Sequence, residues 1–295
     1  MGAVTGSLSA AHAGTVTLGN LTVNRLGFGA MRITGKGIWG PPADHSGALA
    51  TLRRAVELDV NFIDTADSYG PGVSEELIAE ALWPYPKGLV IATKAGWERH
   101  GPGVWQHNAS PKHIEQAIEG SLKRLRLERI DVYQLHVPDP ATSFDASMET
   151  LAQLQQQGKI RHVALSNVTL EHVERARKIV PIVSVQNRYS FSDREWDYLL
   201  DHCEANDIVF MPWGPMAQAR KAHEVVEKIA AARGVSTAVV SLAWLLSRSP
   251  VMLPIPGTSS VTHLEENVGA AGFQLSDAEF AELGAVAPRP MTLRG

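Results

Sequence analysis

Short apolar runs recur along the chain at residues 26–31, 61–64, 89–93, 130–135, 161–165, 182–186, 208–213 and 251–255. Each is as long as a strand buried on both faces. Between them, apolar residues fall at helical spacing. Ala48–Leu58 carries Leu49, Leu52, Ala55, Val56 and Leu58 on one side. Ser110 and Pro111 supply an N-cap and a first-turn proline for the next clear helix. Ile114, Ala117, Ile118, Ser121, Leu122 and Leu125 form its inward stripe. Further helices are predicted near 74–82, 145–157, 169–179, 194–206, 237–247 and 262–270. Ahead of all these, Thr15–Leu18 and Leu21–Val23 flank Gly19-Asn20 and predict a short hairpin.

Eight strands alternating with eight helices imply parallel strands joined by right-handed crossovers. At this length a closed (β/α)8 TIM barrel is the economical solution. Two helical segments, about 222–233 and 276–284, stand outside the eightfold repeat. The rival is a doubly wound open sheet, which carries a glycine-rich turn directly after an early strand. Gly27-Phe28-Gly29-Ala30-Met31-Arg32 has two of those glycines, lacks the third, and lies within the strand.

No linker interrupts the alternation, so residues 15–295 read as one domain, preceded by a tail over 1–14 that is rich in Ala, Gly and Ser and expected to be disordered. That tail has neither a basic start nor an apolar stretch, so it is not expected to be a signal peptide. No apolar run reaches the roughly 18 residues of a membrane span. The formal charge of −4 is spread along the chain, without a basic cluster for nucleic acid or a membrane surface. A single cysteine, Cys203, excludes an internal disulfide or a cysteine-based zinc site. The expected setting is the cytoplasm. Monomer is the default, because no heptad or long apolar edge forces association.

Candidate chemistry sits where three successive strands end. Asp64 closes the second run, Lys94 follows the third and His136 ends the fourth, while Tyr69 lies five residues beyond Asp64. Taken singly, each has a plain structural reading: a cap, a solvated loop amine, a satisfied histidine. Their recurrence at consecutive strand ends points instead to one mouth of the barrel, where barrel active sites form. A carboxylate, a phenol, an amine and an imidazole together suit proton transfer.

The segments Asn61-Phe62-Ile63-Asp64-Thr65-Ala66-Asp67-Ser68-Tyr69-Gly70, Thr93-Lys94, Leu135-His136, Ser166-Asn167, Val185-Gln186-Asn187 and Ile255-Pro256-Gly257-Thr258-Ser259-Ser260 resemble those of aldo-keto reductases, in the same order. The resemblance implies reduction of an aldehyde or ketone by a nicotinamide dinucleotide, with Asp64, Tyr69, Lys94 and His136 as the catalytic tetrad. A free phenol has a pKa of about 10, too high for efficient proton exchange at neutrality. On this reading Lys94, held charged by Asp64, lowers it. Tyr69 then protonates the carbonyl oxygen, and His136 orients it.

The same resemblance gives the cofactor contacts. Ser166, Asn167 and Gln186 would hold the carboxamide, and Trp213 would stack on the nicotinamide. Gly214, Pro215 and Met216 would follow the pyrophosphate. Gly29, Ala30, Met31 and Asp64 would complete the inner wall. Gly257, Thr258, Ser259, Ser260 and His263 would meet the outer phosphate at a helix start, with Glu266 and Asn267 at the adenine. The Lys and Arg that many relatives carry at the positions of Gly257 and His263 are absent, so no bidentate clamp on a 2′-phosphate is visible. NADPH is expected, with NADH as the alternative. Trp39, Trp97 and Trp105 lie in loops beyond the strand ends and are expected to line the substrate site together with His136. Gly-x-Trp-Gly-Pro-Pro around Trp39 is similar to bacterial members of the pyridoxal reductase kind, and implies a flat aromatic aldehyde. Two other functions fit a barrel of this kind: a Schiff-base aldolase using a neutral Lys94, and a cofactor-sensing binding module.

Overall fold

The structure is a computed structural model that describes residues 7–214 and 220–287. A 3-10 turn at Ala10–Ala13 precedes the antiparallel hairpin β1 (Thr15–Leu18) and β2 (Leu21–Asn24). Then come β3 (Phe28–Gly29), α1 (His45–Glu57), β4 (Phe62–Asp64), α2 (Val73–Leu82) and β5 (Val90–Ala95). A second hairpin follows, β6 (Trp97–Gly101) and β7 (Val104–His107). After it the alternation resumes with α3 (Pro111–Leu125), β8 (Ile130–Leu135), α4 (Phe144–Gln156), β9 (Ile160–Ser166), α5 (Leu170–Arg177), β10 (Ile182–Arg188), α6 (Asp197–Ala205) and β11 (Val209–Trp213). Helices α7 (Arg220–Arg233), α8 (Thr237–Arg248), α9 (Val261–Gly269) and α10 (Asp277–Gly284) complete the chain. Two of them, α7 and α10, are the extras outside the repeat. Ser110 caps α3 through its hydroxyl, with Pro111 in the first turn, as the sequence predicts.

Seven strands form one parallel sheet in the order β3-β4-β5-β8-β9-β10-β11. The eighth apolar run closes the barrel without becoming a regular strand. On one side, Phe210 donates to Val251 O (2.9 Å) and Leu253 donates to Phe210 O (2.9 Å). On the other, Gly27 donates to Pro254 O (2.9 Å) and Gly29 to Pro256 O (3.3 Å). Proline has no N–H, so at Pro254 and Pro256 the segment accepts from the β3 side and cannot donate back. The result is a (β/α)8 barrel whose last seam is only half a ladder.

Two apolar layers follow from the period-two alternation of the strands. The larger packs the outward residues, such as Ile63, Ile91, Tyr133, Leu165 and Phe210, against the helices. The smaller fills the barrel with Phe62, Val90, Ala92, Val132, Ala164, Val209, Met211, Leu253 and Ile255. Leu18 and Val23 of the first hairpin belong to this inner layer and stopper the end opposite the strand C-termini.

The N-terminal tail departs from expectation in its second half. Residues 1–6 lie outside the described residues, but Ser9 donates to Asp59 Oδ2 (2.5 Å) and Ala10 is fully buried. Ala10, which reads as part of a featureless tail, donates its N–H to Leu58 O (2.8 Å) just past the end of α1. No single helix among the described residues is long and apolar enough to cross a membrane.

At the half-ladder seam two glycines interlock. A Cβ on Gly257 would stand 2.6 Å from Gly29 O, and one on Gly29 would stand 2.6 Å from Ile255 O. Both obstacles are backbone, so they cannot swing aside. Gly257→Ala should therefore destabilise the fold by about 1–3 kcal/mol, as overpacking does. A denaturant midpoint equal to the parent's would contradict this account of the seam.

Candidate active site

The inward-facing positions of the strands change character at their C-terminal ends. Two residues beyond Phe62 comes Asp64, two beyond Ala92 comes Lys94, and beyond Val132 come Gln134 and His136. Two beyond Ala164 comes Ser166, and two beyond Met211 comes Trp213. The alternation that fills the barrel with hydrocarbon thus delivers polar groups to one mouth.

At the floor of this mouth Asp64 and Lys94 form an ion pair of 2.7 Å, both buried. Lys94 Nζ also donates to Thr65 O (2.8 Å). The other carboxylate oxygen, Asp64 Oδ1, accepts from Gln134 Nε2 (2.8 Å) and Gln186 Nε2 (2.9 Å). Burial acts to lower the Lys94 pKa, but Asp64 and Tyr69 outweigh it, and the net direction is upward. Lys94 is held as an ammonium.

Tyr69 stands over this pair on the turn after β4, with Lys94 Nζ 5.1 Å from the centre of its ring. The turn is tied down by Asp67 N–H on Lys94 O (3.3 Å) and Tyr69 N–H on Ala66 O (3.2 Å). The expectation that Lys94 brings the phenol below its ordinary pKa is corrected here. Burial pushes it up, Lys94 pulls it down by less, and the net shift is upward.

The His136 ring sits 5.8 Å from that of Tyr69, edge to face, and both line the same cleft. Burial and the Lys94 charge drive the imidazole pKa well below its ordinary value, and the ring is neutral. Its Nδ1 lies 3.4 Å from Ser68 Oγ.

Above the tetrad opens a cleft of about 820 Å³. Gly29, Met31, Arg32, Asp64, Tyr69 and His136 line its inner side, with Asn167, Gln186, Trp213 and Gly214 on the β9–β11 side. Ile255, Pro256 and Gly257 line the seam, and Trp97 and Trp105 the far wall. Trp213 is 37% exposed and donates its Nε1–H to Asn167 Oδ1 (3.0 Å). Asn167 takes φ +56°, and its amide donates to His136 O (2.9 Å) and Ser166 Oγ (3.0 Å).

Several expected residues stand elsewhere. Trp39 lies outside the lining, bridged to Gly70 with its indole near Arg99, because the loop after β3 folds down onto the Tyr69 turn. Ala30 is fully buried and gives its carbonyl to Ser74 Oγ (3.0 Å). Ser166 is buried beneath Asn167. The Gln186 amide nitrogen is committed to Asp64 rather than free for a ligand. Thr258, Ser259, Ser260, His263, Glu266 and Asn267 lie past Gly257, on the cap and first turns of α9, outside the lining of the cleft. Ser260 accepts from His263 N–H as the N-cap (3.4 Å), and Thr258 Oγ1 accepts from Ser260 N–H (3.0 Å). Pro215 and Met216 lie outside the described residues.

Sequence reading missed three features. Gln134 was hidden in an apolar strand, although its place two before His136 puts it on the inward face. Arg32 lines the mouth beside Gly257, its Cγ 3.5 Å from where a Gly257 Cβ would stand. The β6–β7 hairpin stands where the sequence implies only a loop, and Gly101-Pro102-Gly103 between two tryptophan-bearing segments is its turn signal. Behind the tetrad, Glu75 is wholly buried and accepts from Thr93 Oγ1 (2.6 Å) and Arg124 Nε (2.7 Å). Next to it Asp67 is pushed up to about 8 by burial and by the Glu75 charge, so it is largely a neutral acid at pH 7.

Comparison with known proteins agrees with this geometry. Residues 25–288 match the model of the Aldo/keto reductase family. The chain is 48% identical over 283 residues to an uncharacterised oxidoreductase of Schizosaccharomyces pombe, covering 95% of this chain and 92% of that one. It is 42% identical over 279 residues to pyridoxine 4-dehydrogenase of Escherichia coli, covering 92% and 98%. A crystal structure of an aldo-keto reductase from Klebsiella pneumoniae in complex with NADPH superposes with a TM-score of 0.80 at 26% identity, covering 94% and 96%. Fold, site and sequence thus agree: the chain belongs to the aldo/keto reductase family and is an oxidoreductase of carbonyl compounds.

Proposed function

We propose that the protein reduces a flat aromatic aldehyde, of which pyridoxal is the type, to its alcohol with NADPH. The observation that carries this reading is the convergence of Tyr69 and His136 on one cleft whose opposite wall is Trp97 and Trp105. Those indoles lie 5.7 Å apart at 75°, and Trp97 is also 6.4 Å from His136. A planar substrate stacked there presents its carbonyl to the tetrad. The similarity to pyridoxine 4-dehydrogenase supports the same substrate class.

In this scheme the bound dinucleotide supplies hydride to the carbonyl carbon. Tyr69 gives its phenolic proton to the carbonyl oxygen. Neutral His136 donates a ring N–H to the same oxygen and fixes its direction. Lys94 stabilises the phenolate left behind, and Asp64 keeps Lys94 charged and in place. A lysine so held has no free amine for a Schiff base, which argues against the aldolase reading.

The residues present fit a dinucleotide. Trp213 offers an exposed indole beside Asn167, and the Gly29–Gly257 seam leaves a surface free of side chains. Thr258, Ser259 and Ser260 carry hydroxyls at the start of α9, with His263 one turn on and Glu266 and Asn267 beyond. Arg32 has no ion pair among the described residues and stands beside Gly257. It is a cation available where the Lys and Arg of relatives are missing, which favours NADPH over NADH.

Three outcomes are expected. Tyr69→Phe should lower kcat for aldehyde reduction by at least about 10²-fold while leaving NADPH affinity within about twofold, because general acid catalysis contributes 10²–10⁴-fold. A variant as fast as the parent would refute the proton assignment. Trp213→Ala should weaken NADPH binding by about tenfold through lost stacking area, read by fluorescence titration. Unchanged affinity would remove Trp213 from the cofactor site. The third outcome concerns pH. Tyr69 works as an acid and its pKa is raised, so its active form persists until the pH passes the ordinary phenol value of about 10. His136 is already neutral, so no rate change should appear at the ordinary imidazole pKa of about 6.5. A reduction rate that falls by half between about pH 6 and 7, below the range in which the neighbouring Asp67 titrates, would contradict one assignment or the other.

A further inference from the structure

Arg99 sits on β6, and all five of its N–H donors are spent on main-chain carbonyls. Nη1 donates to Ile38 O (2.9 Å) and Ser68 O (2.9 Å). Nη2 donates to Gly37 O (3.0 Å) and Gly101 O (3.4 Å), and Nε to Val104 O (3.1 Å). The guanidinium stacks on Trp105, 3.7 Å from the ring centre, and stands 5.8 Å from that of Trp39. No carboxylate pairs with it among the described residues. A cation this committed to neutral acceptors is there for its shape.

The carbonyls belong to three separate segments: the loop after β3, the Tyr69 turn and the hairpin that carries the aromatic wall. Ser68 is the residue before Tyr69, and its hydroxyl faces His136 Nδ1 at 3.4 Å. One planar group therefore spans from the tetrad to the substrate wall. Lysine could not replace it, since an ammonium has three donors and no face to stack.

We propose that Arg99 is a specificity-determining positioning residue, which holds Trp105 at a fixed separation from the Tyr69–His136 pair and so sets the width of the slot for a flat aromatic aldehyde. The proposal rests on the reading of the cleft as a carbonyl-reduction site. Without the guanidinium the hairpin keeps its own ladder but loses its tie to the Tyr69 turn. A planar substrate, held on both sides, feels that loss. A small aliphatic aldehyde, which touches only the tetrad, does not.

The test compares pyridine-4-carbaldehyde with propanal at saturating NADPH, in the parent, Arg99→Lys and Arg99→Gln. Both variants should raise KM for the aromatic aldehyde at least about tenfold, because misplacing a positioned substrate is costly, while KM for propanal stays within about twofold. Trp105→Leu, which removes the wall and leaves the carbonyl contacts, should give the same split. Equal loss of kcat/KM for both aldehydes, or a split in Trp105→Leu with none in the two Arg99 variants, would overturn the proposal. If the parent reduced neither aldehyde with NADPH, the functional reading would fail first and this one with it.

Discussion

The buried pair of Asp64 and Lys94 is the constraint on which the rest of the site depends. Two charges have been taken out of water at the end of a hydrocarbon-filled barrel. Such a pair adds little net stability, and an apolar pair of similar volume would often serve the fold as well. Removing one partner alone would cost about 3–5 kcal/mol, because the other is left uncompensated. The surroundings show how the cost is met. Thr65 O accepts from Lys94, and the amides of Gln134 and Gln186 complete Asp64. Strands β4, β5, β8 and β10 all contribute to this one knot across the inside of the curved sheet.

From that knot the remaining geometry follows. An ammonium whose pKa is raised by Asp64 and Tyr69 is a positive charge beneath the Tyr69 ring. The low-dielectric setting makes it effective and also works against it, since the same burial raises the phenol and neutralises His136. The balance leaves a protonated phenol and a neutral imidazole, both of them donors, aimed at one place. That is the protonation state a carbonyl-reducing site needs before the reaction begins.

Much of this was legible in the sequence for a simple reason. The period-two alternation inside a barrel strand predicts which residue faces the mouth, and a polar residue two or four beyond the last inward hydrocarbon marks Asp64, Lys94 and His136. What escaped was of three kinds. Gln134 obeys the same rule but reads as a stray polar residue in an apolar run. The run at 251–255 reads as a strand because it is apolar throughout, whereas Pro254 and Pro256 decide the hydrogen bonds of the seam. Arg99 could not be placed at all, because its meaning lies in carbonyls from segments some thirty and sixty residues upstream. The direction of the Tyr69 shift was misjudged because sequence shows the lysine and hides the burial.

The central claim is that Lys94, held charged by Asp64, pulls the Tyr69 phenol toward ionisation against the effect of burial. Carbon-13 NMR titration of tyrosine-labelled protein, with Tyr69→Phe used to assign the signal, reads that phenol directly in the parent and in Lys94→Met. The account predicts that the Tyr69 pKa rises further when the ammonium is removed. A pKa that stays put or falls in Lys94→Met would contradict it.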